Sequence, residues 1–322
     1  MGKETEVKSV SRIEYLRISL LTACNLNCRY CRPRDSGVPL THIEADPAKL
    51  MSAIAFFAQL GVSKIRFTGG EPTLYRRLPD MVSFVKRQSR PIHTCLTTNG
   101  LLLSRQASVL ARAGLNSVNI SLDTIRRTRF RAITGTDALD VVLAGIKVAR
   151  GYFESVKLNC VVINGVNDDE IEDLILFADN CGVDIRFIEY MPTSSRTRDN
   201  SGYLPTEKII GRLPYRLSPV EPAGSSAARY FRSPELGIRV GFISPVSHPF
   251  CDGCNRIRLT SDGRLYSCLF SAKSLNLFDL LQSGDESAQE QIQLMMSEKR
   301  FSGCSNATAP GYARPTFVVM GG

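Results

Sequence analysis

YLRISLLTACNLNCRYC, residues 15–31, carries the two features that decide how this chain folds. Its first six residues alternate, with Tyr15, Arg17 and Ser19 on one face of an extended segment and Leu16, Ile18 and Leu20 on the other. Three cysteines, Cys24, Cys28 and Cys31, then fall within eight residues of one another. Outward from this stretch, five more strand-like segments follow: KIRF (64–67), IHTCLTT (92–98), SVNISL (117–122), VKLNCVVI (156–163) and DIRFIEY (184–190). Helical patterns at 47–60, 78–88, 104–113, 125–132, 137–150 and 168–180 separate them, which predicts a parallel sheet with helices packed outside it.

The alternation separates a barrel from a doubly wound sheet. Strands of a doubly wound sheet are buried on both faces and read as continuous apolar runs. Here Lys64 and Arg66 lie opposite Ile65 and Phe67, Asn119 and Ser121 opposite Val118, Ile120 and Leu122, and Lys157 and Asn159 opposite Val156, Leu158 and Cys160. One face is therefore polar and cationic, which the packed interior of a closed barrel does not tolerate. The fold class expected is α/β, a partial (β/α)6 TIM-type barrel around a wet, positively charged lumen. Isolated surface charges are the competing reading, and it needs several strands to share the irregularity by chance.

Four segments are expected: a flexible arm over 1–12, the barrel over 13–191, an irregular connection over 192–235 and a C-terminal region over 236–322. The connection holds six of the 16 prolines. The last region carries strands IRVGFI, RIRLT and LYSCLF, a helix near 275–300 and a Gly321-Gly322 tail.

With 322 residues, 43% hydrophobic and 22% charged, the chain has the composition of a folded protein, which excludes disorder, collagen and coiled coil. No run approaches the ~18 apolar residues of a membrane span. MGKETEVKSV has neither the apolar core of a signal peptide nor, with Glu6, a myristoylation site, so a cytoplasmic enzyme with no membrane role is expected. The 40 Lys and Arg against 31 Asp and Glu give a net charge of +9. Without Trp or a long basic block, that charge points to an anionic small ligand and not to nucleic acid.

Among the ten cysteines, Cys95, Cys160 and Cys181 read as core, and Cys304 has no assignment. Cys24, Cys28 and Cys31 sit on the loop after the first strand, at the end where α/β barrels keep their chemistry. Zinc would want a fourth ligand, for which His42 is the nearby candidate. A [4Fe–4S] cube normally takes four Cys, and with three it leaves one iron open to an exogenous ligand. Cys251, Cys254 and Cys268 form a second set, C-x2-C-x13-C, where His248 admits a zinc ribbon as the alternative.

The first triad, with Tyr30 before its third Cys and TGGEP (68–72) after the second strand, resembles the signature of the radical S-adenosylmethionine (SAM) superfamily. CDGCNRIRLTSDGRLYSCLF (251–270), LTTNG (96–100), NISLD (119–123), GVNDDE (165–170), IRFIEYM (185–191) and the Gly-Gly tail resemble one family within it, the GTP 3′,8-cyclases of molybdenum cofactor biosynthesis. The likeness runs from Leu16 to Gly322. It implies a C-terminal auxiliary-cluster region closing the open side of the barrel, and two [4Fe–4S] clusters, one on Cys24, Cys28 and Cys31 and one on Cys251, Cys254 and Cys268. It implies a SAM pocket of Tyr30, Gly70, Ser121 and Met191, and GTP contacts from Arg17, Arg66, Thr97, Lys157, Arg256, Ile257 and Arg258. Lys64 and Arg186 are further cation candidates. Gly321 and Gly322 would reach into the active site. The implied partners are GTP, an electron donor and the cyclic pyranopterin monophosphate synthase that takes the product, with a homodimer as a possible assembly.

The chain departs from the family in having Thr22-Ala23 for the usual Asp-Arg pair, and Arg32 for the usual Met. A peptide maturase with an auxiliary cluster is the nearest alternative, although it would normally carry more C-terminal cysteines. A zinc-containing nucleic-acid-binding protein would leave GGEP and the charged lumen unexplained.

Overall fold

A computed structural model describes residues 13–31, 42–191, 200–221, 226–251, 254–271, 273–299 and 317–320. The 1–12 arm, Arg32, Cys304, Gly321 and Gly322 lie outside the described residues. The first half alternates strand and helix in the expected order: β1 (Tyr15–Ser19), α1 (Pro47–Gln59), β2 (Lys64–Thr68), α2 (Leu78–Lys86), β3 (His93–Thr98) and α3 (Leu103–Arg112). Then come β4 (Ser117–Ser121), α4 (Arg127–Thr134), α5 (Leu139–Tyr152), β5 (Ser155–Val162), α6 (Ile171–Asn180) and β6 (Asp184–Glu189). All six strands are parallel and neighbour one another in sequence order.

The outward faces meet the helices. Leu16, Ile18, Ile65, Phe67, Val118, Ile120 and Leu158 are fully buried in one apolar core with Ile54 and Phe57 of α1 and Val142 and Ile146 of α5. Each such side chain contributes roughly 1.5–3 kcal/mol on burial. Helix starts follow local chemistry: Asp46 accepts from Lys49 N at 2.9 Å and Pro47 opens α1.

Past β6 the chain builds α7 (Thr206–Ile210), β7 (Ser218–Val220), β8 (Arg229–Arg232), β9 (Val240–Ile243), β10 (Arg256–Leu259), β11 (Arg264–Tyr266) and β12 (Leu275–Asn276). It ends in α8 (Leu277–Ser283), α9 (Asp285–Glu298) and α10 (Phe317–Met320). The 192–235 stretch, expected to be irregular, thus contains a short helix and two strands. Its prolines obscure them, but an edge strand tolerates a proline such as Pro219 of β7. The single helix expected over 275–300 is two, broken at Gly284, whose φ of +116° ends α8.

The later strands extend both edges of the barrel sheet. β10 pairs parallel to β1 and leads to β11 and β12, whereas β9 pairs parallel to β6 and leads back to β8 and β7. The result is one 12-stranded sheet, a partial barrel whose two edges carry the C-terminal residues. Among the described residues, no helix is long and apolar enough to cross a membrane.

Candidate active site

The lumen face forms a cavity of about 630 Å³. Residues of six consecutive strands converge on it: Arg17, Arg66, Thr97, Asn119, Lys157 and Arg186. Among the described residues, nine lysines and arginines line the cavity against two glutamates, Glu14 and Glu221. Strand register explains the concentration. Arg258, Arg17 and Arg66 stand opposite one another on β10, β1 and β2, and Tyr15 stands between Arg256 and Lys64. Lys64 and Arg186 both belong to the lining.

Burial and mutual repulsion disfavour the charges of Arg17 and Lys157, whereas Arg66 keeps its charge through the Tyr15 phenol. Burial, then Arg258, lowers the Arg17 guanidinium to about 9, and burial, then Arg186, lowers Lys157 to about 8. Arg66, only 4% exposed, is held by the Tyr15 phenol through its Nε and donates from Nη1 to Leu96 O at 2.9 Å and to Thr97 Oγ1 at 3.1 Å. Burial opposes ionisation of Tyr15, but Arg66, Arg17 and Lys64 draw its phenol down to about 8. A lumen that keeps cations under such repulsion suits a polyanion, because charge-assisted contacts strengthen in low dielectric. Ile257 faces away from it: fully buried on the outer face of β10, in register with Leu16, it belongs to the apolar core.

Cys95 is fully buried, as expected, although its neighbours are polar. It stands opposite Arg66 on β3 and accepts from Ser117 Oγ at 3.1 Å. Burial opposes ionisation of its thiol, but Arg66 and a hydrogen bond with His93 bring it down to about 6. Cys160 does sit in the apolar core, and Cys181 packs against it.

The second cysteine set opens onto the same cavity: Cys251, Cys254 and Cys268 all line it. Phe270 N approaches Cys268 Sγ at 3.5 Å. Burial opposes thiolate formation at Cys254, but the Lys299 ammonium and the Arg256 N–H lower it. The loop carrying Cys251 is fixed by Glu189 at the end of β6. This carboxylate, 1% exposed, accepts from Val246 N and Ser247 N at 3.0 Å each and from Thr206 N at 3.0 Å. Glu189→Ala strands those donors, so a loss of about 3 kcal/mol is expected, with Glu189→Gln between it and the wild type. Thermal unfolding of the three proteins checks this, and equal Tm values would contradict it.

The first set lies at the C-terminal ends of the strands. Leu26 N and Asn99 Nδ2 approach Cys24 Sγ at 3.4 and 3.9 Å. Burial, then the charges of Asp123, Cys31 and Cys24, pushes the Cys28 thiol up, so three thiolates persist together only with a metal group to compensate them. No disulfide joins the described cysteines. Among the described residues, no three His, Cys, Asp or Glu side chains converge on a single-ion site. His42 is exposed, and His248 turns its Nδ1 to Glu207 at 3.2 Å.

Tyr30 and Gly70, two of the residues expected around SAM, have partners in the chain. Tyr30 donates to Asp123 Oδ2 at 2.7 Å, and Asp123, its carboxyl raised to about 6 by burial, also accepts from Val161 N at 2.9 Å. Ser121 ends β4, and Met191 follows β6 and lines the cavity. Gly70 packs against the cysteine loop itself: a Cβ there would lie 2.0 Å from Ala23 O. Gly70 N and Glu71 N bond Leu21 O and Ala23 O at 2.7 and 2.8 Å. The GGEP turn therefore shapes the loop that presents Cys24. Thr22, one of the departures, is buried and bonds Ile43 through both its N–H and its Oγ1.

Sequence reasoning missed Tyr15, Asn119, Asn159 and Tyr230 as cavity residues. The alternation already put Tyr15, Asn119 and Asn159 on the polar face. Tyr230 lies in the stretch expected to be irregular, where no signal marked it.

The shifted groups of the lumen make its affinity for a polyphosphate pH-dependent. In the unliganded protein Lys157 discharges near 8, while Tyr15 gains negative charge near 8, so both weaken anion binding as pH rises. GTP affinity is expected to hold through neutral pH and fall above pH 8, by at most about tenfold per pH unit for each group. Titrations between pH 7 and 10 check this, and a flat profile would contradict it.

Residues 18–178 match the model of the radical SAM superfamily, and residues 183–303 match that of Molybdenum Cofactor Synthesis C. The chain is 40% identical over 280 residues to the GTP 3′,8-cyclase of Peptoclostridium acidaminophilum, covering 85% of this chain and 86% of that protein. It is 39% identical over 320 residues to the GTP 3′,8-cyclase of Thermodesulfovibrio yellowstonii, covering 96% and 98%. Among solved structures, Streptococcus suis SuiB bound to precursor peptide SuiA aligns with a TM-score of 0.62 at 18% identity, over 84% of this chain and 63% of that one. That likeness shows the fold alone. Together with a cationic lumen that opens onto a cysteine triad, the identity over nearly the whole length means that the chain belongs to the GTP 3′,8-cyclase family of radical SAM enzymes.

Proposed function

We propose that the chain converts GTP to (8S)-3′,8-cyclo-7,8-dihydroguanosine 5′-triphosphate, the first step of molybdenum cofactor biosynthesis. The observation that carries this reading is the cavity in which the lumen cations and Cys251, Cys254 and Cys268 face one another. Arg17, Arg66, Lys157 and Arg258 bind the triphosphate, and Thr97, bonded to Arg66, completes their row. Cys24, Cys28 and Cys31 hold one [4Fe–4S] cluster, and Cys251, Cys254 and Cys268 hold the second beside the guanine. Tyr30, Gly70, Ser121 and Met191 surround SAM. When bound, the first cluster and SAM supply the 5′-deoxyadenosyl radical that removes the 3′ hydrogen of GTP.

The protein's part is to place that hydrogen and to hold C8 of the guanine within reach of C3′. Fixing the triphosphate at one end and the base at the other leaves the ribose between the two cysteine levels, where orientation lowers the barrier. Met320 O accepts from Arg258 Nη1 at 3.1 Å, which supports a tail whose Gly321 and Gly322 act beside the triphosphate. The product passes to the cyclic pyranopterin monophosphate synthase, and an electron donor supplies the reducing equivalent. GTP carrying deuterium at C3′ tests the reading. Deuterium recovered in 5′-deoxyadenosine supports it, whereas unlabelled 5′-deoxyadenosine alongside unchanged GTP would overturn it.

A further inference from the structure

One guanidinium in the lumen is held by a phenol where a carboxylate would ordinarily be found, and a second lies beside one. The Tyr15 hydroxyl accepts from Arg66 Nε. The Tyr230 ring lies near the stem of Arg186, whose Nε donates to Asn159 Oδ1 at 2.8 Å. Elsewhere in the chain, arginines take carboxylates: Arg239 pairs with Asp184 at 2.6 Å and Arg129 with Glu170 at 2.6 Å. The difference is electrostatic. A carboxylate fixes a guanidinium and cancels its charge, whereas a neutral phenol fixes it and leaves the charge for a ligand.

Both rings are themselves held in place. Lys64 Nζ and the Arg256 guanidinium stand over the Tyr15 ring at 5.2 and 5.6 Å. The Arg239 guanidinium stands over the Tyr230 ring at 4.9 Å, clamped from behind by Asp184. Opposite Tyr230 on β9 stands Gly241, where a Cβ would come within 2.9 Å of the ring and 3.0 Å of Arg186 Cγ. The absent side chain leaves the space in which ring and arginine stem lie together.

We propose that Tyr15 is a positioning residue for the nucleotide's phosphates, holding the buried Arg66 guanidinium toward the lumen without neutralising it. The inference rests on the GTP reading above and adds how one of the lumen's cations is aimed. Phenylalanine is the discriminating substitution, because it keeps the ring and its stacked cations and removes only the acceptor.

Calorimetry on the anaerobically reconstituted full chain, with GTP, inorganic tripolyphosphate and guanosine as separate ligands, tests it. Tyr15→Phe is expected to weaken GTP and tripolyphosphate about tenfold while leaving guanosine unchanged. Tyr15→Phe combined with Arg66→Met should bind no more weakly than Arg66→Met alone, since the phenol acts through that arginine. A general structural defect would weaken all three ligands equally and would overturn the inference, as would tripolyphosphate affinity unchanged in Tyr15→Phe. Wild-type binding of tripolyphosphate but not GTP, with the phenylalanine loss intact, would sustain the inference and sink the substrate. Wild-type binding of neither would overturn both.

Discussion

Gly70→Ala is expected to lose SAM cleavage by roughly 10²-fold, the scale of a 1 Å misplacement near reacting groups. The added methyl would lie 2.0 Å from Ala23 O, 2.5 Å from Ala23 C and 2.7 Å from Thr22 O, all backbone atoms with no flexible end to yield. The two strand ends are joined at that point by Gly70 N to Leu21 O and Glu71 N to Ala23 O. The peptide that must retreat is the one leading directly into Cys24. Overpacking of this kind destabilises by about 1–3 kcal/mol, so Tm should fall as well. Gly151→Ala is the control: that glycine meets nothing within 4 Å and lies in α5, where alanine stabilises by about 0.4–1 kcal/mol. Iron content, Tm and 5′-deoxyadenosine formation measured on both variants check the pair. A Gly70→Ala protein with wild-type cleavage would show that the turn does not set the cysteine loop.

The second large effect is expected on binding. Arg66→Met keeps an apolar stem of similar reach and removes the charge at the centre of the lumen. A buried, hydrogen-bonded cation that meets a phosphate is worth about 2–5 kcal/mol, so the Kd for GTP should rise by roughly 10²-fold or more. Stability should move little. The wild-type guanidinium is buried beside other cations, and removing one relieves repulsion that also bears on Arg17. The loss lies in Leu96 O and the Tyr15 phenol, which each give up a donor. GTP titration and thermal unfolding, run together, separate the possibilities. An unchanged Kd with a lowered Tm would make Arg66 a structural residue and move the triphosphate elsewhere.

Much of this was legible before the fold was seen, because period-2 alternation carries information on both sides of a strand. Arg17, Arg66 and Lys157 could be placed in the lumen from their neighbours alone, and all three line the cavity. The same rule puts Cys95 in register with Arg66, and the reading of its thiol as core holds as well, since it is fully buried there. Ile257 departs from expectation: a motif taken as a block carries it into the nucleotide site, although its parity on β10 turns it into the core. The role of Glu189 and the packing of Gly70 against the cysteine loop were hidden for a different reason. Their partners, Val246 and Ser247 for one and Ala23 for the other, lie across the fold, and local pattern says nothing of such contacts. β7 and β8 were missed because short edge strands among prolines carry little hydrophobic period of their own.

The function rests on a single coupling, radical generation at one end of the lumen and GTP held at the other. The direct test is anaerobic: the chain reconstituted with iron and sulfide, given SAM and a strong reductant, and assayed for 5′-deoxyadenosine with and without GTP. Formation that depends strongly on GTP, with a product of GTP's own mass that is no longer GTP, is the predicted result. Cleavage of SAM indifferent to GTP would contradict the substrate, and a chain that binds zinc and cleaves no SAM would contradict the account as a whole.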